Sequence, residues 1–559
     1  MSTSYLIKPP LVLRRLMFAL LPWLGLVSGM VRADEPAECV DPWAPIVYPK
    51  DRAGSSDVSS VDAVRFLNQA TFGAAPRDLT HLKHMSLAAW LQEQFELPAS
   101  CHLDTLNQTQ NNNSRDNRQE VWWRLSVRAP DQLRQRLAFA LSELFVVSDV
   151  NSGIPPNAMA AYNDVLVRNA FGNFRDLLER VTRSPAMGRY LSMLGNQKPD
   201  RVLGIRADEN FAREVMQLFT IGLVELDQRG IPLRQAGQTI PTYAQPDVEG
   251  LARVLTGWSW GDSLYFKDGD DWRLPMKAFR DYHDTAAKTI VGETQVPARR
   301  TAEQDLEQAL IPFNHPNVGP FVSRQLIQRL VTSNPSPSYV ARVAARFNDN
   351  GSGVRGDMQA VVKAILLDRE ARLGTAANVN FGKLREPLLV MSHLFRAFNA
   401  VLPDGTVPYL WFEGNVGQAP LSAPSVFNFF RPDFTPNGLI KAAGLVAPEF
   451  QMITEAHNSQ FYNELWGRIQ WYYGGNPYLD RNSLLLNITA LNKLAGSPER
   501  LIDYLDLLLV GKRLPATMKS ALASYLNTIP VGSGSSSGTR RSLDALFFVI
   551  SSPYYQIQI

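Results

Sequence analysis

From Val61 onward apolar residues recur at steps of three and four, and sustained alternation at step two is nearly absent. A strand buries every second residue, whereas a helix buries one stripe of period 3.6, so this pattern admits many helices and little sheet. In "VDAVRFLNQATFG", Val61, Val64, Phe66, Leu67 and Ala70 fall near one face and the run stops at Gly73. "PDQLRQRLAFALSELFVV" carries a stripe of Leu133, Leu137, Ala140, Leu141 and Leu144, with Asp131 close to its start. Further helical runs cover 247–256, 305–310, 318–331, 338–347, 358–367, 386–398, 500–509 and 515–526. Only short pieces such as "KTIVG" (288–292) read as strand, and "NNNSRDNRQ" (111–119) reads as an exposed polar loop. The expected class is mainly α, a multi-helical array with long irregular loops and minimal β. Loops at 228–246, 260–300 and 399–447 are longer than connection requires, and such loops are where sites gather.

The N-terminus obeys other rules. Lys8, Arg14 and Arg15 precede the apolar run 16–30, and Val31-Arg32-Ala33 follows it, which is the pattern of a secretory signal peptide. Its removal takes four of the 56 basic residues and no acid, leaving 52 against 53 acidic residues. A near-neutral mature chain with no basic block gives nucleic acid nothing to hold. The expected organisation is a signal at 1–33, an extended arm at 34–60, a main helical domain at 61–398, an aromatic and proline-rich loop segment at 399–447, and a C-terminal helical region at 448–559. The expected location is periplasmic or extracellular, with no membrane span after cleavage. Export permits Cys39 and Cys101 to pair, and neither has Cys-x-x-Cys spacing.

Chemistry-bearing residues cluster in three stretches. In "RADENFAREVMQLFTIG" (206–222), Asn210, Glu214 and Gln217 form a polar stripe beside the apolar face, and Glu209 with Arg213 makes an i,i+4 pair. "TYAQPDVEGLARVLTGWSW" (242–260) repeats that spacing with Glu249 and Arg253, places Asp247 at a helix start, and sends Trp258 and Trp260 into a loop. "FRDYHDTAAKTIVG" (279–292) holds the His283-Asp284 pair, and His315 opens the next helix, on which Arg324 and Arg329 follow as natural partners for Glu214 or Asp247. An ion-pair network of Glu209, Arg213, Glu214, Glu249, Arg253, Arg324 and Arg329 is the plain reading. The sharper one makes Glu214, Asp247, His283 and Asp284 catalytic, with His315 joining them around a divalent metal. No Gly-x-Ser-x-Gly or Gly-x-Gly-x-x-Gly stands between a predicted strand and a helix, as an elbow or dinucleotide fingerprint requires, and there is no P-loop and no haem attachment motif.

"RFLNQATFGAAPRDL", "ENFAREVMQLFTIGL", "YAQPDVEGLARVLTGW", "HDTAAKTIVG", "HPNVGPFVSRQLIQRLV" and "GQAPLSAPSVFNFFRPDFTPNG" occur in this order. Together they resemble the bacterial domain-of-unknown-function family 1800. The resemblance implies an exported, mainly helical protein, often encoded beside a secreted partner of the unknown-function family 1501, which is similar to sulfatases and alkaline phosphatases. It implies no reaction. Many relatives carry His where this chain has Phe219, which weakens a metal role at that turn. Three functions are therefore weighed. The first is an interaction or scaffold protein working with the family-1501 partner, with Trp258, Trp260, Trp411, Phe427, Phe429 and Phe430 as its contact surface. The second is a metal-assisted hydrolase of an envelope or extracellular polymer. The third is carbohydrate binding through Trp258, Trp260, Trp272 and Trp411.

Overall fold

Side-chain oxygens and prolines set the helix starts. Ser59, Ser86, Ser114, Ser336 and Asp357 each accept a backbone N–H from the first turn they precede, and Thr301 with Gln304 forms a reciprocal capping box. Pro76, Pro185, Pro387, Pro498 and Pro553 open helices where no N–H is needed. The result, in a computed structural model that describes residues 39–40, 58–400, 412–473, 486–530 and 535–559, is a mainly α protein. The signal region, most of the arm and Trp411 lie outside the described residues.

The described strands form five two-stranded ribbons. Cys39–Val40 runs parallel to Ala99–Ser100, and the adjoining Cys39 and Cys101 are joined by a disulfide. Lys288–Ile290 pairs with Thr294–Val296 where "KTIVG" reads as strand. This ribbon lies so close to the helix Gln245–Val254 that a Cβ on Gly250 would stand 1.8 Å from the Thr289 carbonyl oxygen. Trp258–Ser259 pairs with Lys277–Ala278, and Lys383–Leu384 pairs with Ile557–Gln558 near the chain's end. No helix among the described residues is long and apolar enough to cross a membrane.

The larger apolar core gathers the buried stripes of Ser60–Ala70, Gln132–Ser142, Pro156–Asn169, Val318–Leu330, Pro337–Asn348 and Met358–Leu366. Phe145, Phe174, Phe219 and Phe347 interlock within it, at centroid distances of 5.2 Å for Phe145–Phe219 and 5.5 Å for Phe174–Phe347. Each such ring contributes roughly 1.5–3 kcal/mol by leaving water. A second core sets Trp122 and Trp123 against Pro387–Ala397 and the helices after residue 486.

Two local expectations are corrected. The polar run 111–119 is only half loop, because Ser114 caps the helix Arg115–Arg128, whose Arg118 and Gln119 are buried. Arg118 meets Asp149 at 2.7 Å, and the Gln119 amide donates to the Pro420 carbonyl. The stretch 206–222 is not one α-helix. It is α-helical over Asn210–Glu214 and widens into a π-helical turn over Val215–Thr220.

Candidate functional site

Two loops meet on one face. Asn196 anchors the first: its side-chain oxygen accepts from Asp208 N at 2.9 Å, and its carbonyl accepts from Gly257 N at 2.8 Å. Between these anchors the backbone folds back at Asp200 and Ile205, and the Asp200 carboxylate accepts from the N–H groups of Val202 and Leu203. The turn lifts Val202 and Leu203 into solvent, 94% and 71% exposed. Lys198 N donates to the Tyr282 carbonyl at 2.8 Å, tying this turn to the second loop. There Tyr282 stacks on Phe266 at 3.8 Å, and the preceding Leu264 and Tyr265 are 87% and 71% exposed. Ser263 accepts from Tyr265 N and donates to its carbonyl, which holds that bend. Beside it Trp260 and Trp272 form an edge-to-face pair at 4.8 Å.

The predicted site residues engage several different partners. Glu209 pairs with Arg213 at 2.9 Å, and Gln245 bridges both. Glu249 receives only a long Gln245 contact of 3.4 Å, because its expected partner Arg253 turns to Asp284 at 2.6 Å. Asp247 caps its own helix by accepting Ala244 N at 2.8 Å. Glu214 is 7% exposed, and its Oε2 has no partner among the described residues. Burial raises its pKa, opposed in part by Arg213. Neither Arg324 nor Arg329 reaches it: Arg324 lies at the surface within electrostatic range of Asp433, and Arg329 serves Glu143. Gln217 accepts from the Tyr243 hydroxyl at 3.3 Å.

His283 is fully interior. Its Nδ1 faces the Thr256 carbonyl at 2.9 Å and its Nε2 faces Asp305 at 3.1 Å. Asp305 also receives Lys288 at 2.5 Å and Arg300 at 3.1 Å. Burial opposes the Asp305 charge, yet hydrogen bonds from His283 and Lys288 hold its pKa below the usual carboxylate value. Asp284 behaves likewise, with burial overcome by the Arg253 hydrogen bond. His315 lies 3.5 Å from Glu225 and accepts Asn317 N through Nδ1, and burial lowers its pKa against the pull of Glu225. Among the described residues, the one trio of His, Cys, Asp or Glu with ligand atoms within 4.8 Å is Cys39, Cys101 and Asp104, whose sulfurs form the disulfide. Glu214, Asp247, His283, Asp284 and His315 thus form no such trio among the described residues.

The aromatic candidates also divide. Trp258 and Phe430 are buried, Phe429 and Trp260 are half-buried, and Phe427 reaches solvent. Trp258 therefore belongs to the packing under the loops and offers no ring to a ligand.

Sequence reasoning missed the most charged interior position. Arg136, Glu143, Arg329, Lys383, Glu386 and Glu449 come together with almost no exposure. Lys383 Nζ meets Glu449 at 3.0 Å, lies 3.7 Å from Glu386, and donates to the Arg329 carbonyl at 2.8 Å. Arg136 donates to that same carbonyl at 2.6 Å. Gln418 donates to Glu386 at 2.8 Å. Glu143 and Glu386 adjoin. Burial and then Glu386 push the Glu143 pKa well up, while against its own burial the charge of Lys383 draws Glu386 down. Glu143 stands 3.6 Å from Arg329, too far for a direct hydrogen bond. The signal available in sequence was Arg136 and Glu143, seven residues and two turns apart on an otherwise apolar stripe.

A family model described as "Protein of unknown function (DUF1800)" matches residues 65–557. No match was found among curated proteins or among solved structures.

Proposed function

The chain belongs to the DUF1800 family of proteins of unknown function, and we propose that it is an exported interaction protein that holds a secreted partner against the loop face around Val202 and Leu264. One observation carries this reading: Val202, Leu203, Leu264 and Tyr265 project from two loops pinned to each other by backbone hydrogen bonds. Single exposed apolar residues are ordinary, but a held group of them is a surface that gains free energy when covered. Aromatic residues at its centre, here Tyr265 and the Tyr282–Phe266 stack, suit an interface because they give large contact area at small entropy cost. Asp262, Asp268, Asp270, Asp271 and Asp281 share this loop with Lys267, Arg273, Lys277 and Arg280, so the complementary surface is apolar with a rim of mixed charge. Export rests on the signal pattern at 1–33, and the partner class, a family-1501 protein encoded nearby, rests on the family resemblance. Co-expression of the two chains tests it. Co-elution on size exclusion, lost in the double variant Val202→Asp/Leu203→Asp, is expected. Separate elution of the wild-type chains rejects this partner.

Glu214 favours a second reading. It is a buried carboxylate with raised pKa at the entry of a π-helical turn, a feature frequent at functional sites. In a hydrolase it would be the general acid or base. Hydrolysis of an envelope polymer by the wild type, abolished in Glu214→Gln with unfolding unchanged, would establish that reading over the first.

A further inference from the structure

We propose that a cleft far from the loop face in sequence, between the start of the helix Glu455–Tyr473 and the C-terminal turn Pro553–Gln556, binds a small uncharged amphiphile: a hydrocarbon ring bearing one hydroxyl group. The cleft has a volume of about 230 Å³. Val416, Phe450, Ile453, Phe461 and Ile557 supply apolar wall. Apolar walls with a few polar groups are the composition of small-molecule sites.

Three polar side chains define the head group. His457 is fixed in place: its Nδ1 donates to the Met452 carbonyl at 3.1 Å, and Gly417 sits so near that an added Cβ would stand 2.7 Å from the ring. With Nδ1 carrying the proton, Nε2 is left as an acceptor. Asn458 and Tyr462, one helical turn apart, line the same cleft, and neither side chain has a hydrogen-bond partner among the described residues. A hydroxyl can donate to His457 Nε2 and accept from Tyr462 or Asn458, so it uses both its donor and its acceptor capacity. Arg385, the charged residue of the wall, already donates to His393 Nδ1 at 2.7 Å and lies 5.0 Å from the Tyr555 ring. Arg385 is 4% exposed and turned to His393 and Tyr555, so little of its guanidinium faces the cleft.

Size fixes the body. A protein cavity of about 150 Å³ takes one benzene ring, and the remaining volume, at about 30 Å³ per water-sized particle, admits roughly three more heavy atoms. Ethylphenol has that size.

Ligand-observed NMR titration of the purified protein with 4-ethylphenol, ethylbenzene and 4-methylbenzoate tests the proposal. The expected order places 4-ethylphenol about tenfold tighter than ethylbenzene, from one hydrogen bond to a neutral acceptor, with 4-methylbenzoate weaker than both. His457→Phe keeps the body and removes the acceptor, and should erase the phenol's advantage. Ile453→Trp at the partly exposed mouth should fill the cleft and abolish binding of all three with thermal unfolding unchanged. Failure of 4-ethylphenol to bind the wild type at millimolar concentration, binding unaffected by Ile453→Trp, or ethylbenzene binding as tightly as the phenol would each overturn it.

Discussion

Lys383→Met removes an ammonium that lies within ion-pair distance of two buried glutamates. In the native protein Lys383 meets Glu449 at 3.0 Å and faces Glu386 at 3.7 Å, with its side chain fully buried. Methionine fills the volume but leaves a carboxylate without its nearest counter-charge. Loss of one partner of a buried pair costs about 3–5 kcal/mol. Unfolding entropy near 2.1 cal/mol/K per residue, over roughly 500 ordered residues, gives about 1 kcal/mol/K, so the midpoint should fall by about 3–5 °C in calorimetry. Glu143→Gln supplies the control. Burial and the neighbouring Glu386 disfavour charge on Glu143, and glutamine keeps its shape while carrying none. Its midpoint should stay within about 1 °C of wild type, a change of about 1 kcal/mol. A Lys383→Met midpoint equal to wild type, or a Glu143→Gln loss as large as that of Lys383→Met, would refute the assignment of charge within the cluster.

The Cys39–Cys101 bridge closes a loop with a sequence separation of 62, so its removal by Cys39→Ser/Cys101→Ser should cost about 4 kcal/mol in equilibrium denaturation. Asp164 accepts the N–H groups of His102 and Leu103, and burial raises its pKa from 3.8 to about 7. Between pH 4 and 7 the unfolded chain releases this proton while the folded chain keeps it, so stability falls as pH rises, and Asp164→Asn should remove that slope. Burial lowers the His102 pKa from 6.5 to about 4, so its slope is opposite: stability falls as pH drops through that window, and His102→Gln should remove it. Glu214→Gln should leave the melting temperature unchanged or higher, because the carboxylate has no partner to lose; a loss near 3 kcal/mol would mean that it does belong to an ion-pair network.

Local periodicity made the helices legible. Val318–Leu330 and Met358–Leu366 fall within one residue of their sequence-based spans, because one apolar stripe is enough to define each. Partnership between distant residues was not legible. Arg253 has Glu249 one turn away, yet it bonds Asp284 from the following loop at a better distance. Arg118 and Gln119 read as solvated because the Pro420 carbonyl that receives them lies some 300 residues away in sequence. Glu386 and Glu449 look like surface acids until the chain fold delivers Lys383, Arg136 and Arg329 to them. The long loops were visible as candidate sites. The exposed pair Val202 and Leu203 was not, because two apolar residues in a polar run carry no pattern until the Asp200 turn lifts them.

Hydrogen exchange of the chain with and without the family-1501 partner tests the interaction reading most directly. The account predicts slowed exchange at 198–205 and 262–268, with 279–282 following, and little change over the buried helices. Slowed exchange confined to other surfaces, or identical exchange in both samples, would contradict it.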